Sequence, residues 1–349
     1  MREALLEILA DPLQHRPLAL MSAHRDAAGD IVDGTLESGA GARYDITSHI
    51  PRFVANGETA QGQVERSFAF KWQQQHTYRS AGMVEQSREW LVSRYGFRSA
   101  DDMCRYMSER SSVLDAGCGA GWSASLWLGP AWTGMRWVGA DISVAIDVAR
   151  SRLSEFPNTD FVQADILHLP FRPETFDVIF AEGVLHHTPS TERAFHALVP
   201  LLRPGGEVMA YVYRRKSPVR EFTDDYIRAA MSKLDPEEAW AQLRSLTALG
   251  QALAALKAEV DVPEPIPCLG IPAGKQDVQR LVYWHFAKLF WNDAYSFEEN
   301  NHINFDWYHP AYAHRHTEEE IRGWCAAAKL HITHFDAQES GFTVRATRA

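Results

Sequence analysis

Along the middle of the chain, apolar positions come in two rhythms. Short, mostly apolar runs fall at 113–114, 137–140, 161–164 and 176–181, a length suited to buried strands. Between them, 143–153 and 191–202 carry apolar residues at helical spacing, and Gly205-Gly206 opens a fifth strand-like run that reaches Tyr213. Strand and helix in alternation predict an α/β domain with a parallel sheet covered on both faces. Three of the runs close on acids, Asp115, Asp141 and Asp165, and open parallel sheets bind ligands beyond the C-terminal ends of their strands.

The rhythm differs outside this core. Residues 1–60 read as a small β-rich module: a short helix around Leu5, Leu6 and Leu9, then strand-like 18–20 and 43–46 about a Gly- and Asp-rich section. Residues 61–110 form a linker and helices, with the aromatics Phe68, Phe70, Trp72 and Tyr78 packed on the core or closing over a ligand. The strand rhythm of 111–213 then gives way to a helical insertion, 214–316, with helices at 219–232, 236–260 and 278–291 and an aromatic, histidine-dense run over 301–316. Thr317-Glu318-Glu319-Glu320 makes a capping box for a helix over 321–328, and two last strands at 331–335 and 342–347 complete the region 317–349.

Composition narrows the classes. The chain has 349 residues, 46% of them hydrophobic, enough for a full core with additions. A formal net charge of −10 gives no general attraction for nucleic acid or an anionic membrane, which disfavours an RNA substrate. Cys104, Cys118, Cys268 and Cys325 are scattered without a CxxC pair, so neither a disulfide framework nor a structural zinc site is expected and a reducing cytoplasm fits. The N-terminus carries Glu3 and Glu7 and no long apolar segment, and no stretch approaches the ~18 apolar residues that span a bilayer. A soluble, cytoplasmic protein is expected, with no membrane partner.

The candidate chemistry centres on Ser112-Val113-Leu114-Asp115-Ala116-Gly117-Cys118-Gly119-Ala120-Gly121-Trp122, a strand, a glycine-dense turn and a helix start. Glycines let such a turn approach a ligand closely and take positive φ. Its GxGxG spacing differs from the GxGxxG that meets a pyrophosphate, and Asp115 would repel a phosphate, so a nicotinamide dehydrogenase is disfavoured.

The stretch from Val113 to Gly121 resembles the first motif of class I S-adenosylmethionine-dependent methyltransferases. Asp141, Asp165, Phe176-Asp177-Val178-Ile179-Phe180-Ala181-Glu182-Gly183-Val184-Leu185-His186-His187 and Leu202-Arg203-Pro204-Gly205-Gly206 are similar to that family's later motifs, in order. The core resembles that of ubiquinone and menaquinone biosynthesis methyltransferases. The resemblance implies a Rossmann-like, seven-stranded sheet with helices on both faces, a helical insertion between strands 5 and 6, and a closing helix and hairpin. Leu5-Leu6-Glu7-Ile8-Leu9-Ala10-Asp11-Pro12, Tyr44-Asp45-Ile46 and Ile50-Pro51-Arg52-Phe53 resemble the small zinc-ribbon module of the methyltransferase-activator type. That module holds zinc through two CxxC pairs. Here no cysteine precedes Cys104, and Asp11 and Gln14 stand where the first pair would fall, so apolar packing has to replace the metal.

The cofactor implied is S-adenosyl-L-methionine, leaving as S-adenosyl-L-homocysteine. Asp115 suits its cationic amino end, Gly117, Cys118, Gly119 and Gly121 its close approach, and Asp141 both ribose hydroxyls. Asp165 would accept from the adenine amino group between the apolar faces of Ile142 and Ile166, with Glu182 at the end of the fourth strand and Trp72 and Arg79 as a lid meeting the methionine carboxylate. His187, or His186, is the candidate base that takes a proton from the attacking hydroxyl, amine or thiol. Tyr213, His285, Asp306, Trp307, His309, His314 and His316, with Trp284, are the candidate acceptor contacts, and no metal site is expected. Arg214-Arg215-Lys216 with Arg220 reads as a solvated face or an anchor for an anionic substrate. The expected partner is a small-molecule acceptor, and a homodimer is compatible with the sequence. An RNA- or protein-directed methyltransferase using the N-terminal module as adaptor, or a cofactor-binding protein without transferase activity, are the alternatives.

Overall fold

The computed structural model describes residues 1–54, 60–78, 80–128, 134–156 and 158–349. In chain order the first strands are β1 (Leu18–Arg25), β2 (Ile31–Ser38), β3 (Arg43–Thr47) and β4 (Ile50–Arg52). Helices α1 (Ala60–Gln73), α2 (Ala81–Arg94) and α3 (Ala100–Ser108) follow. The central region alternates β5 (Ser112–Ala116), α4 (Trp122–Trp127), β6 (Arg136–Asp141), α5 (Ala145–Leu153), β7 (Thr159–Gln163), β8 (Phe176–Glu182), α6 (Thr191–Leu198) and β9 (Leu202–Tyr213). Then come α7 (Pro218–Met231), α8 (Pro236–Ala255), β10 (Glu259–Val262), β11 (Gly274–Asp277), α9 (Val278–His285) and α10 (Phe297–Tyr308). The chain closes with α11 (Glu318–Ala327), β12 (Leu330–Ala337) and β13 (Gly341–Arg348).

Two compact units result: Met1–Gly57, Ser87–Tyr213 and His316–Ala349 form the first, Glu58–Gln86 and Arg214–Arg315 the second. The first is built on one sheet in the order β1-β2-β3-β4-β7-β6-β5-β8-β9-β13-β12. From β7 to β12 this is the expected seven-stranded core, parallel except where β13 runs against β9 and β12. Leu114, Val138, Val162, Ile179 and Val208 fill its centre, all at 0% exposure, because strands covered on both faces have no polar side.

The sheet has eleven strands rather than seven. The N-terminal segment folds as an antiparallel meander whose last strand pairs parallel with β7 through Arg52 and Gln163, so this segment continues the core sheet beyond its edge. Charged clamps fix the junction. Arg2 grips Asp160 with Nε and Nη2 at 3.0 and 2.6 Å, and Arg52 reaches Asp147 and the Gln163 amide oxygen. Asp11, 1% exposed, accepts from the Leu13 and Gln14 amides and the Tyr44 hydroxyl, so a carboxylate organises this turn.

In the second unit, helices α1 and α7 to α10 pack with a β10–β11 hairpin. The sequence leaves α10 as an aromatic loop and extends the helix of α8 through what is β10; both differ in the structure. Ser296 and Glu299 form a reciprocal capping box that starts α10. Its buried asparagines are satisfied: Asn304 bonds Thr247 and the Phe290 backbone, and Asn300 bonds the Asn292, Tyr295 and Ser296 carbonyls. Arg220 is not on a solvated face. It is 1% exposed and pairs with Asp224 at 2.6 Å, and Asp224 also accepts from Trp307 Nε1, the Tyr308 hydroxyl and the Lys288 amide. Among the described residues no helix is long and apolar enough to cross a membrane.

Candidate active site

The glycine turn leaves β5 as its neighbours require. Gly117 has φ +78°, and a Cβ there would lie 2.2 Å from a Val184 methyl. Gly121 caps α4 at φ +69°, where a Cβ would press on Leu153. Both positions combine left-handed backbone with close approach, which glycine alone accepts without strain. Cys118 is 6% exposed and packs against the backbone of Gly139; burial pushes its thiol well up, so it is no nucleophile.

Two acids face this turn with different partners. Asp141 ends β6 and accepts from the Gly119 amide at 2.8 Å, the Ser143 amide at 2.8 Å and the Ser143 hydroxyl at 2.7 Å. It therefore holds the loop as well as facing it. Asp115 is 2% exposed, and among the described residues no donor reaches its Oδ2. Burial, then the neighbouring Asp141, raises its pKa to about 8. Asp165 lies two residues past the end of β7 and caps a short 3₁₀ turn, accepting from the Leu167 amide at 2.9 Å. Ile166 is buried in the apolar core and Ile142 half-buried. Glu182, at the end of β8, accepts from the Tyr95 hydroxyl at 2.8 Å and pairs with Arg94, whose guanidinium lies between the Trp90 and Tyr211 rings. Sequence reasoning missed this buried arginine, which a helical periodicity over 83–95 does not distinguish from an exposed one.

His186 and His187 sit in a 3₁₀ turn after β8, 0% and 4% exposed, with ring centroids 4.5 Å apart. His186 stacks on Tyr213 at 3.6 Å, and His187 meets the same ring edge-on at 5.5 Å. The His316 amide donates to the Tyr213 carbonyl, and its Nε2 lies 2.8 Å from the Thr191 hydroxyl. Four of the sequence candidates, His186, His187, Tyr213 and His316, are thus gathered at the C-terminal ends of β8 and β9.

The others belong to the helical unit. Trp72 packs edge-on against Tyr78 and His302, at 5.3 and 5.9 Å. Asp306 receives Lys71 Nζ at 2.5 Å, and Trp307 donates to Asp224. His309 Nδ1 is 2.8 Å from Ser67 Oγ, and burial lowers its pKa. His285 ends α9 and His314 stacks on Tyr312. Arg79 lies outside the described residues.

Fold and site together define a doubly wound domain with two acids and a glycine turn at the C-terminal ends of its parallel strands. Residues 114–210 match the family described as a methyltransferase domain. The matched stretch holds the glycine turn, Asp115, Asp141 and Glu182, and the cofactor is S-adenosyl-L-methionine. The chain is similar to a tRNA (carboxymethyluridine(34)-5-O)-methyltransferase of Xenopus tropicalis, 31% identical over 188 residues that cover 53% of this chain and 26% of that protein. It is also similar to phthiotriol/phenolphthiotriol dimycocerosates methyltransferase 1 of Mycobacterium ulcerans, 30% identical over 126 residues, 36% of this chain and 46% of that one. The magnesium protoporphyrin IX methyltransferase structure from Synechocystis aligns over 85% of this chain and 100% of that chain, at 13% identity and a TM-score of 0.43. The chain thus spans less than half the length of these two curated relatives.

Proposed function

We propose that this chain moves the methyl group of S-adenosyl-L-methionine to a nucleophilic atom of a small-molecule acceptor. The observation that carries the reading is the Asp115 carboxylate, buried at the end of β5 with an Oδ2 that no described donor reaches. A buried acceptor without a donor is costly, and the ammonium of the methionine moiety relieves that cost. In this reading Asp141 takes the ribose hydroxyls, oriented by its bonds to Gly119 and Ser143, and Asp165 serves the adenine between Ile142 and Ile166.

The cofactor supplies an electrophilic methyl group on a sulfonium. What the chain contributes is alignment of the acceptor in line with that group and exclusion of water, the larger part of catalysis in such a displacement. His187 accepts the acceptor's proton at Nε2, with His186 fixed against Tyr213 to hold the pair in place. Tyr213 and His316 are the acceptor contacts at these strand ends.

A second reading, transfer to RNA, is favoured by one observation, the similarity to a tRNA methyltransferase. The net charge of −10 weighs against it. Incubation with methyl-labelled cofactor decides between them, with a small-metabolite extract in one arm and total tRNA in the other. Label in the small-molecule fraction is expected. Label in tRNA alone would favour the second reading, binding without transfer to either would leave a cofactor-binding protein, and no cofactor binding at all would sink the proposal.

A further inference from the structure

Lys288 follows α9 in the helical unit, its backbone amide held by Asp224 Oδ1 at 3.2 Å and the Tyr308 hydroxyl at 2.9 Å. Its side chain is 7% exposed and lays the ammonium 4.4 Å from the centre of the Trp307 ring. The Arg220 and Arg228 guanidinium carbons lie 5.5 and 5.8 Å from the centre of that same ring. The arginines have carboxylates: Arg220 pairs with Asp224 and Arg228 with Asp225. Lys71 has Asp306, and Arg315 has Glu221 and Asp225. Among the described residues no carboxylate or carbonyl accepts from the Lys288 ammonium, and Asp224 is already met by Arg220 Nε, Trp307 Nε1, the Tyr308 hydroxyl and the Lys288 amide.

A ring face offsets only part of the desolvation of an ammonium. Burial lowers the Lys288 pKa to about 7, opposed by Asp306 and Asp224 and reinforced by Arg220 and Arg228. Lys216, its ammonium 5.3 Å from the Trp284 ring, is lowered to about 7 by burial and by the charges of Arg220, Lys288 and Arg214. Cations crowd here on aromatic walls, and one of them lacks an anion.

We propose that Lys288, over Trp307 and flanked by Arg220 and Arg228, forms an anion-binding site within the helical unit for the carboxylate or phosphate of a small molecule. The site is independent of the methyltransferase reading above. Its ligand carries an oxyanion beside an apolar or aromatic body, since the walls are indole and phenol rings.

The test uses the full chain, with inorganic phosphate and benzoate titrated separately by calorimetry, on wild type and Lys288→Met. At least one probe should bind, and Lys288→Met should weaken it at least about tenfold, because the charge-assisted contact is lost. Phosphate alone binding would identify a phosphate-bearing ligand, benzoate alone a carboxylate. Benzoate, which does not titrate in this range, should bind fully below about pH 7 and progressively less as the pH rises through it, since only the protonated lysines attract it. Lys288→Met should also melt no lower than wild type, because a lysine kept for a ligand burdens the free fold. Lys216→Met is a second variant expected to weaken the same probe. No binding of either probe, equal affinity in wild type and Lys288→Met, or a lowered melting temperature with probe affinity unchanged would overturn the site. Cofactor titration of wild type in parallel separates the two claims: probe binding without cofactor binding refutes the methyltransferase reading and leaves the anion site standing.

Discussion

Asp115→Asn tests the cradle most directly, because it keeps shape and removes charge. The carboxyl rises from 3.8 to about 8 through burial and the Asp141 charge, a shift of about four units. At about 1.4 kcal/mol per unit, an ionised Asp115 costs the cofactor-free fold up to about 6 kcal/mol. The sign follows from proton counting. Between pH 4 and 8 the folded state holds a proton that the unfolded chain has released, so this contribution to stability is complete below about pH 4 and is lost as the pH rises through 8. Thermal unfolding of the cofactor-free protein should therefore show Asp115→Asn and wild type alike near pH 4 and the variant increasingly more stable toward pH 8.5. The cofactor adds an opposite effect. Its ammonium favours the ionised carboxylate, so wild type should release a proton on binding at pH 7 that the variant does not, read from calorimetry in buffers of different ionisation enthalpy. Affinity in the variant should fall about 30-fold or more, as when one partner of a buried charge pair is removed. A stability difference that stays flat from pH 4 to 8.5, or unchanged cofactor affinity in the variant, would refute the reasoning.

Asp141→Ala should abolish measurable cofactor binding by calorimetry and also destabilise the fold by about 1–3 kcal/mol, since the Gly119 and Ser143 donors lose their acceptor; full affinity would remove the ribose assignment. His187→Ala should lower the transfer rate on the true acceptor by about 10²- to 10⁴-fold with cofactor affinity retained, and a wild-type rate at every pH would exclude it as the base. Asp224→Ala should cost about 3–5 kcal/mol in thermal unfolding, because it strands the buried Arg220 charge and three further donors; a change below about 1 kcal/mol would show that the hub is dispensable.

The core sheet was legible because its signals are local and redundant. An apolar run, an acid at its end and an amphipathic stretch recur from Val113 to Tyr213 and predict parallel strands covered by helices; the order β7-β6-β5-β8-β9-β13-β12 is set by long-range pairing that no local pattern gives. The meeting of Asp115, Gly117, Gly121 and Asp141 at one turn was legible for the same reason, since they lie within one strand-helix-strand unit. Its internal chemistry was less so. Nothing in the spacing says that Asp141 spends its oxygens on Gly119 and Ser143 while an Asp115 oxygen goes without, because both carboxylates close a parallel strand in the same way. That the N-terminal meander extends the sheet depends on long-range pairs, Arg2 with Asp160 and Arg52 with Gln163, that no local pattern announces.

The helical unit was misread for a reason that reaches beyond boundaries. Arg220, Asp224 and Arg228 repeat every four residues along α7, a pattern that ordinarily marks a water-facing stripe, yet they are 1%, 1% and 5% exposed. On α10, Asn300, Asn301 and Asn304 form an equally polar stripe and are 0% exposed. Helical periodicity reports which residues share a face; hydrophobicity is only a proxy for whether that face is buried, and the proxy fails when partners on the same and on other elements pair most of its charges and polar groups. Asp224 is buried because Arg220, Trp307, Tyr308 and the Lys288 amide converge on it from separate segments, and Asn304 because Thr247 and Phe290 do. A polar network of this kind can be recognised only once all its members are in place. Such a network also exposes the member it leaves out, and the Lys288 ammonium is conspicuous because the neighbouring Arg220 and Arg228 each have a carboxylate.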